Sequence, residues 1–270
     1  LLYIVATPIG NLQDISQRAL DTLKECDGIL CEDTRRTAIL LDRYGISKPL
    51  IPCHKFNEAR SLEPVLDHLR AGKRYALVSD AGTPCINDPG SLLTAACAKE
   101  GIPFTSIPGP CSLINALVLA AFPFERFQFV GFLSKKPKRD LRSLLFYPGV
   151  SAAFESPERI QGTLEALLDL APTRPLCIAR EMTKTFEESL RGSPAELLAR
   201  FQARPPKGEI VLIIGPGEPP EDPEPLTLEE CIALLQETHG LTLKESLKQA
   251  ARLLKIPKRD AYREIHRNSP

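Results

Sequence analysis

The chain has 270 residues, 43% of them hydrophobic, enough for one large or two ordinary globular domains with their own cores. Its 34 Lys plus Arg residues balance 34 Asp plus Glu, so no global field draws it to a polyanion or a membrane surface. Nucleic acid would have to be held by local basic patches, and no apolar run approaches the ~20 residues that cross a bilayer, so a soluble chain is expected.

Leu1 to Ala6 is apolar but lacks a basic lead-in and soon meets a Pro-Ile-Gly turn, which reads as a buried first strand and not as a secretory signal. Leu1 in place of an initiator Met is expected to reflect a trimmed end. Over the first hundred or so residues, short apolar runs alternate with amphipathic stretches, the pattern of βαβ units around a largely parallel sheet. Strands are predicted at Leu2 to Ala6, Gly28 to Cys31, Arg74 to Ser79 and Phe104 to Ile107. Apolar spacing predicts helices at Ser16 to Lys24, Thr37 to Tyr44, Ala59 to Ala71 and Ser91 to Glu100, with Gly101 just past the last.

Cys111 to Ala121 predicts an apolar helix stopped by Phe122-Pro123, where a domain boundary is placed. A second series follows, with strands at Phe127 to Phe132, Ser151 to Phe154, Leu176 to Arg180 and Glu209 to Ile214, and helices near Glu158 to Leu170 and Pro194 to Phe201. Gly215 to Pro225 predicts a linker, because proline fixes φ and removes a donor. Leu226 to Arg267 then predicts three short helices, among them Leu243 to Leu254 and Arg259 to His266. The expected organisation is an α/β domain at 1–121, a second at 122–216, a linker at 217–225 and a helical extension at 226–270.

The eight cysteines form no CxxC pair and lie mostly in apolar segments, so free buried thiols in a reducing cytoplasm are expected. With four histidines and no HExxH, ligand spacing gives no support to a metal site.

Three Gly- and Pro-rich turns each follow a predicted strand, and ligands of open parallel sheets collect at the carboxyl ends of strands. In Thr7 to Asp14, Gly10 permits close backbone approach and Asn11 or Asp14 is placed to cap the next helix, although a plain strand-to-helix turn explains this segment alone. Ser79 to Gly90 mixes carboxylates, a hydroxyl and two glycines, more than a connection requires. Asp80 or Asp88 is a candidate acceptor for a ligand's amine or ribose hydroxyls; Asp88 taken alone, before Pro89, is expected to start and cap a helix. From Ile107 to Ser112 a strand turns into a helix whose first N–H groups face a carboxylate or phosphate, with Ser112 equally readable as only the cap. There is no GxGxxG with a following acidic residue, no GxxxxGK[ST] and no GxSxG, which weighs against dinucleotide folds, P-loop nucleotidases and serine hydrolases.

Ala179 to Glu187 places four charged residues at and just after a buried strand, and Lys207-Gly208-Glu209 adds two at the start of another. Surface ion pairs of little worth are one reading; a base and cations around a phosphodiester are the other, and the residues alone leave both open. Two basic clusters remain, Lys135, Lys136, Lys138 and Arg139 with Arg142, and Lys255, Lys258, Arg259, Arg263 and Arg267. Short charge runs are usually solvated faces, yet Lys and Arg contacts to phosphate also generate affinity for RNA.

Leu2-Tyr3-Ile4-Val5-Ala6-Thr7-Pro8-Ile9-Gly10-Asn11-Leu12-Gln13-Asp14 resembles the opening of the tetrapyrrole methylases, in the branch that modifies small-subunit ribosomal RNA. Glu32-Asp33-Thr34-Arg35, Ser79 to Gly90, Pro108 to Ser112, Gly131-Phe132-Leu133, Arg180 to Lys184 and Lys207-Gly208-Glu209 agree in the same order, so the resemblance covers the whole chain. It implies a two-domain α/β fold with S-adenosyl-L-methionine in the cleft between domains, a small helical C-terminal extension resembling a helix-turn-helix, and a homodimer in the cytoplasm. It places cofactor contacts on Pro8, Ile9 and Gly10, on Asp80, Gly82, Thr83 and Ile86, on Ser112, and on Ala179 and Ile210.

The implied reaction methylates the 2′-hydroxyl of a cytidine in the decoding region of 16S rRNA within the small ribosomal subunit. A ribose hydroxyl is a weak acid that must be aligned and deprotonated; Glu181 or Glu209 is expected as base, with Arg180 or Lys184 favouring the developing alkoxide. Lys135, Lys136, Lys138, Arg139, Lys258 and Arg259 are expected to bind RNA, the first four on a loop of variable spacing among such relatives. Two other readings are a methylase of a corrin or porphyrin precursor carbon, opposed by the basic tail and Arg180 to Lys184, and a non-catalytic RNA-binding assembly factor, opposed by the intact ligand loops.

Overall fold

The computed structural model describes residues 1–55, 57–216, 227–254 and 256–267, and the chain divides into two compact units, Leu1–Gly217 and Glu218–Pro270. The first unit opens with β1 (Leu2–Val5), α1 (Gln17–Glu25), β2 (Gly28–Cys31), α2 (Thr34–Arg43), β3 (Leu50–Pro52), α3 (Glu58–Arg70), β4 (Tyr75–Val78), α4 (Ser91–Glu100) and β5 (Phe104–Ile107). Its strands form a wholly parallel sheet in the order β3-β2-β4-β1-β5. β2 and β4 are buried at every position, as strands covered on both faces must be. Ile29, Cys31, Ala76 and Val78 pack with Leu23 and Leu41 of α1 and α2, while Leu30, Tyr75 and Leu77 pack with Leu66, Leu69 and Leu93 of α3 and α4.

A second sheet follows in the same unit, from α5 (Ser112–Ala120), β6 (Phe127–Phe132), α6 (Pro137–Leu145), β7 (Val150–Glu155), α7 (Ile160–Leu170), β8 (Leu176–Arg180), β9 (Glu188–Gly192), α8 (Pro194–Ala203) and β10 (Ile210–Ile214). Its order is β6-β7-β10-β8-β9, with only β6 and β7 parallel. Alternation along the strands gives it two apolar faces. Leu176, Ile178, Ile210, Leu212 and Ile214 face α6, α7 and α8; Val150, Ala152, Cys177, Ala179, Val211 and Ile213 face α5 and Ile9. The turn after β1 and the helix after β5 thus seal the inner face of the second sheet, which brings the Gly- and Pro-rich loops to one place.

Several elements depart from the sequence pattern for local reasons. α2 begins three residues before its predicted start because Asp33 caps it, accepting from the Arg35 N–H at 2.9 Å. β3 is a three-residue edge strand and β9 has one buried side chain, Leu190, so neither carries a readable alternation. The Lys135 to Arg139 segment, expected as a loop, enters the first turn of α6, with Pro137 at its start and Leu141 and Leu144 buried against the second sheet.

The second unit holds α9 (Leu228–His239), α10 (Leu243–Leu253) and α11 (Lys258–Arg267). Thr227 with Glu230, and Thr242 with Glu245, form capping boxes on the first two helices, and Leu228, Ile232, Leu235, Leu247, Ala250 and Ala261 make a small core. The expected linker at 217–225 lies outside the described residues. Among the described residues no helix is long and apolar enough to cross a membrane.

Candidate active-site cleft

Within the first unit, a cleft of about 230 Å³ opens at the carboxyl ends of β1 and β4. It is lined by Ile9, by Asp80 to Thr83 and Ile86 to Asp88 of the β4–α4 loop, by Cys111 and Ser112 at the start of α5, by Arg36, and by Phe132, Phe154, Met182 and Glu209 to Val211. The backbones of Thr7 and Gly82 exchange hydrogen bonds at 2.9 and 3.0 Å, and the Thr7 hydroxyl donates to the Ser79 carbonyl at 3.2 Å. The Thr83 hydroxyl donates to the Pro110 carbonyl at 3.1 Å. The three turns expected to bind a ligand are therefore fastened to one another.

The caps differ from expectation. Asn11 caps a single 3₁₀ turn, accepting from the Gln13 N–H at 3.0 Å, and Ser16, not Asp14, caps α1. Asp88 does not cap α4. That role falls to Glu58 of α3, only 6% exposed, whose Oε1 accepts from Gly90 and Leu92 at 3.0 and 2.9 Å. A carboxylate from a sequence-distant helix leaves no trace in the local pattern. Ser112 is the first helical residue of α5, and Cys111, at the cap position, makes no side-chain hydrogen bond, so the first-turn N–H groups face the cleft without a capping acceptor.

Released from capping, Asp88 faces the cleft: burial, then the nearby Glu32 and Asp80, push its carboxyl up to about 6. Burial and Asp80 likewise push the Glu32 carboxyl up. Asp80 accepts from the Asp33 N–H at 3.0 Å and lies 3.4 Å from the Arg36 guanidinium.

At the rim, the Lys184 ammonium donates to Glu181 at 2.9 Å and to Glu209 at 3.1 Å, and the Glu209 N–H donates to Glu181 at 3.2 Å. Against the cost of burial, Lys184 and the Glu209 N–H hold the Glu181 carboxyl below its ordinary range, and the two carboxylates hold the Lys184 ammonium above its own. Gly208 has φ +82°, and a Cβ there would overlap the Glu181 carboxylate. Gly10 makes the close approach its sequence suggests, to Thr183 and Lys184: a Cβ would collide with both, and the Asn11 N–H donates to the Thr183 hydroxyl at 3.0 Å.

Of the residues expected at the cofactor, Ile9, Asp80, Gly82, Thr83, Ile86, Ser112 and Ile210 line the cleft. Pro8 and Gly10 sit behind it in the turn, and Ala179 is fully buried in the apolar layer with Ile9, Leu113 and Val211. Of the expected catalytic residues, Glu209 reaches the cleft wall and Glu181 and Lys184 adjoin it. Arg180 is directed to the opposite sheet face, where it donates to Glu188 at 2.7 Å beside Arg200 of α8. Lys135, Lys136 and Arg139 are exposed, Lys138 is bound to Asp169 at 2.6 Å, and Arg259 is 85% exposed in the second unit; the Lys258 side chain lies outside the described residues. Asp88, a candidate acceptor from the sequence, lines the cleft, whereas Arg36, Asn87, Phe132, Phe154, Met182 and Val211 were not singled out as cleft residues. Asn87, Phe132 and Met182 lay inside segments that carry the family resemblance; Arg36, Phe154 and Val211 carried no signal.

The family model of the tetrapyrrole (corrin/porphyrin) methylases matches residues 1–198, and the chain belongs to that family. The fold is shared with uroporphyrin-III C-methyltransferase of Thermus thermophilus, solved with S-adenosyl homocysteine (TM-score 0.57, 19% identity, 79% of this chain and 96% of that one). It is shared also with diphthine synthase (TM-score 0.62, 14% identity, 80% and 89%). Within the family, the chain is similar to Ribosomal RNA small subunit methyltransferase I of Thermotoga maritima, 45% identical over 80% of this chain and 99% of that protein. The proteins of that name from Halalkalibacterium halodurans (41%, covering 98% and 94%) and Escherichia coli O157:H7 (42%, covering 97% and 93%) match almost end to end.

Proposed function

We propose that this chain transfers a methyl group from S-adenosyl-L-methionine to the 2′-hydroxyl of a cytidine in the decoding region of 16S rRNA, acting on the small ribosomal subunit. The observation that carries this reading is the near end-to-end similarity to proteins named for methylation of small-subunit ribosomal RNA, against 19% identity to a porphyrin methylase of the same fold.

The cleft residues fit the cofactor. Ile9, Ile86, Met182 and Val211 with the Phe132 and Phe154 rings offer apolar walls, Asp80 and Asp88 offer acceptors for an amine or ribose hydroxyls, and the open N-terminus of α5 suits a carboxylate. When bound, the cofactor supplies an electrophilic methyl group on a sulfonium. Lys184, fixed at the rim by two carboxylates, is the cation placed to favour a developing alkoxide. Glu181 and Glu209 are engaged in holding it, and Arg180 serves the ion-pair layer under α8. Lys135, Lys136, Arg139 and Arg259 are exposed cations suited to RNA phosphates. Ile114 and Val118, exposed along α5, suit a homodimer face.

Labelled S-adenosyl-L-methionine would be incubated with unmodified small subunits, with naked 16S rRNA and with a tetrapyrrole precursor. The label is expected in RNA as an alkali-stable 2′-O-methylcytidine; label on the precursor and none on RNA would overturn the proposal.

A further inference from the structure

The Glu32-Asp33-Thr34-Arg35 segment lies outside the cofactor cleft apart from its neighbour Arg36, and lines a second, open hollow of about 520 Å³. The hollow is built at the carboxyl ends of three adjacent parallel strands: Glu32 follows β2, His54 and Lys55 follow β3, and Asp80 follows β4. Ligands of such sheets bind at these ends, in cavities of roughly 300–1,000 Å³. Asp80 lines both the hollow and the cofactor cleft, so a group bound in one lies beside a group bound in the other.

The charged groups around the hollow are unequally engaged. Asp33 caps α2 and is held by Arg35 at 2.7 Å, and Asp80 is held by the Asp33 N–H and by Arg36. Glu181 and Glu209, across the cleft, share Lys184. Among the described residues the Glu32 carboxylate makes no hydrogen bond or close ion pair, and Lys55, exposed on the hollow's wall, makes no ion pair.

We propose that this hollow receives the ribose and an adjoining phosphate of the target nucleotide, with Lys55 on the phosphate and Glu32 accepting the proton of the reacting hydroxyl. This rests on the methyltransferase reading above. The hydroxyl oxygen takes the methyl group as the C–S bond of the donor breaks, its electron pair staying on sulfur, while the O–H proton passes to the Glu32 carboxylate and thence to water. The surroundings suit this role: Glu32 is partly buried and faces Asp80, Asp33, His54 and Arg36, with Asp88 beyond, and burial with Asp80 raises its basicity above that of an ordinary glutamate.

The test compares the full chain with Glu32→Gln and Lys55→Ala, using calorimetric titration with S-adenosyl-L-methionine, binding to unmodified small subunits, and single-turnover methylation. Glu32→Gln is expected to keep both affinities within about twofold while the single-turnover rate falls roughly 100-fold or more and loses its acidic limb. Lys55→Ala is expected to weaken subunit binding and reduce its salt slope by about 1. A Glu32→Gln rate within about threefold of the parent, or a loss that tracks cofactor affinity, overturns the proposal. Should Glu32→Gln fail to fold, a parent rate with no acidic limb together with unchanged subunit binding by Lys55→Ala overturns it equally. A parent that labels no RNA defeats the underlying function instead, and the two failures are thereby distinct.

Discussion

Asp88→Asn removes a charge that the fold holds at a cost. The carboxyl stands at 3.8 in an unfolded chain and at about 6 in the cleft, so between those values the folded protein binds a proton that the unfolded chain has lost. Stability from this group is therefore fully present below about pH 4 and falls as the pH rises through about 6. At about 1.4 kcal/mol per pKa unit, and allowing for solvent at a partly exposed site, the substitution should stabilise the cofactor-free protein by about 1–3 kcal/mol at pH 7.5. That corresponds to a rise in Tm of roughly 2–6 °C for a chain of this size. Thermal melts of parent and variant at pH 4 and pH 7.5 provide the assay, with the two proteins nearly equal at the lower pH. An equal gap at both pH values, or a variant less stable at pH 7.5, would show that Asp88 acts through packing or hydrogen bonding and not through its buried charge.

Glu58→Ala, which strips the α4 N-terminus of its acceptor, should cost about 1.5–3 kcal/mol in urea unfolding and weaken cofactor binding, because the β4–α4 loop ends at that helix; an unchanged midpoint would refute the capping role. Gly208→Ala forces a side chain against Glu181 at φ +82° and should lower stability by about 1–3 kcal/mol. Its signature is reduced turnover with cofactor affinity less affected, and a kinetically silent variant would count against the rim cluster. Burial raises the thiols of Cys26, Cys31, Cys97 and Cys177 above their ordinary range and Cys53 to about 11, so all five should resist a thiol reagent at pH 8 until denaturant is added. Rapid labelling of Cys53 in the native protein would contradict its burial.

What the sequence made legible follows from what each signal depends on. β2 and β4 are short uninterrupted apolar runs between polar residues, and that contrast located them to within a residue. The turn residues Ile9, Gly82, Thr83 and Ser112 were legible as a set because each follows a strand of a parallel sheet. Arg180 was misplaced because a strand residue's face is set by register: two positions after Ile178, it shares that residue's side, under α8. Glu58 took the cap expected of Asp88 because a cap supplied across 32 residues is invisible to a local motif. Phe154 and Val211 were hidden for the same reason as Arg180, and α6 because its basic residues outnumber the two leucines that anchor it.

The layer between α5 and the second sheet has a consequence for how a ligand enters. Ile9, Leu113, Ala116 and Leu117 cover Val150, Ala152, Cys177, Val211 and Ile213 directly behind the cleft, and the Arg191 guanidinium grips the carbonyls at the end of α5. Swinging the two sheets apart would bring this dry layer into water, at about 25 cal/mol for each Å² exposed. The cleft is thus a fixed vise whose jaws share one spine. A ligand must therefore be admitted without parting the sheets, past a Ser79 to Gly90 loop and a Lys184 rim that are themselves tied down.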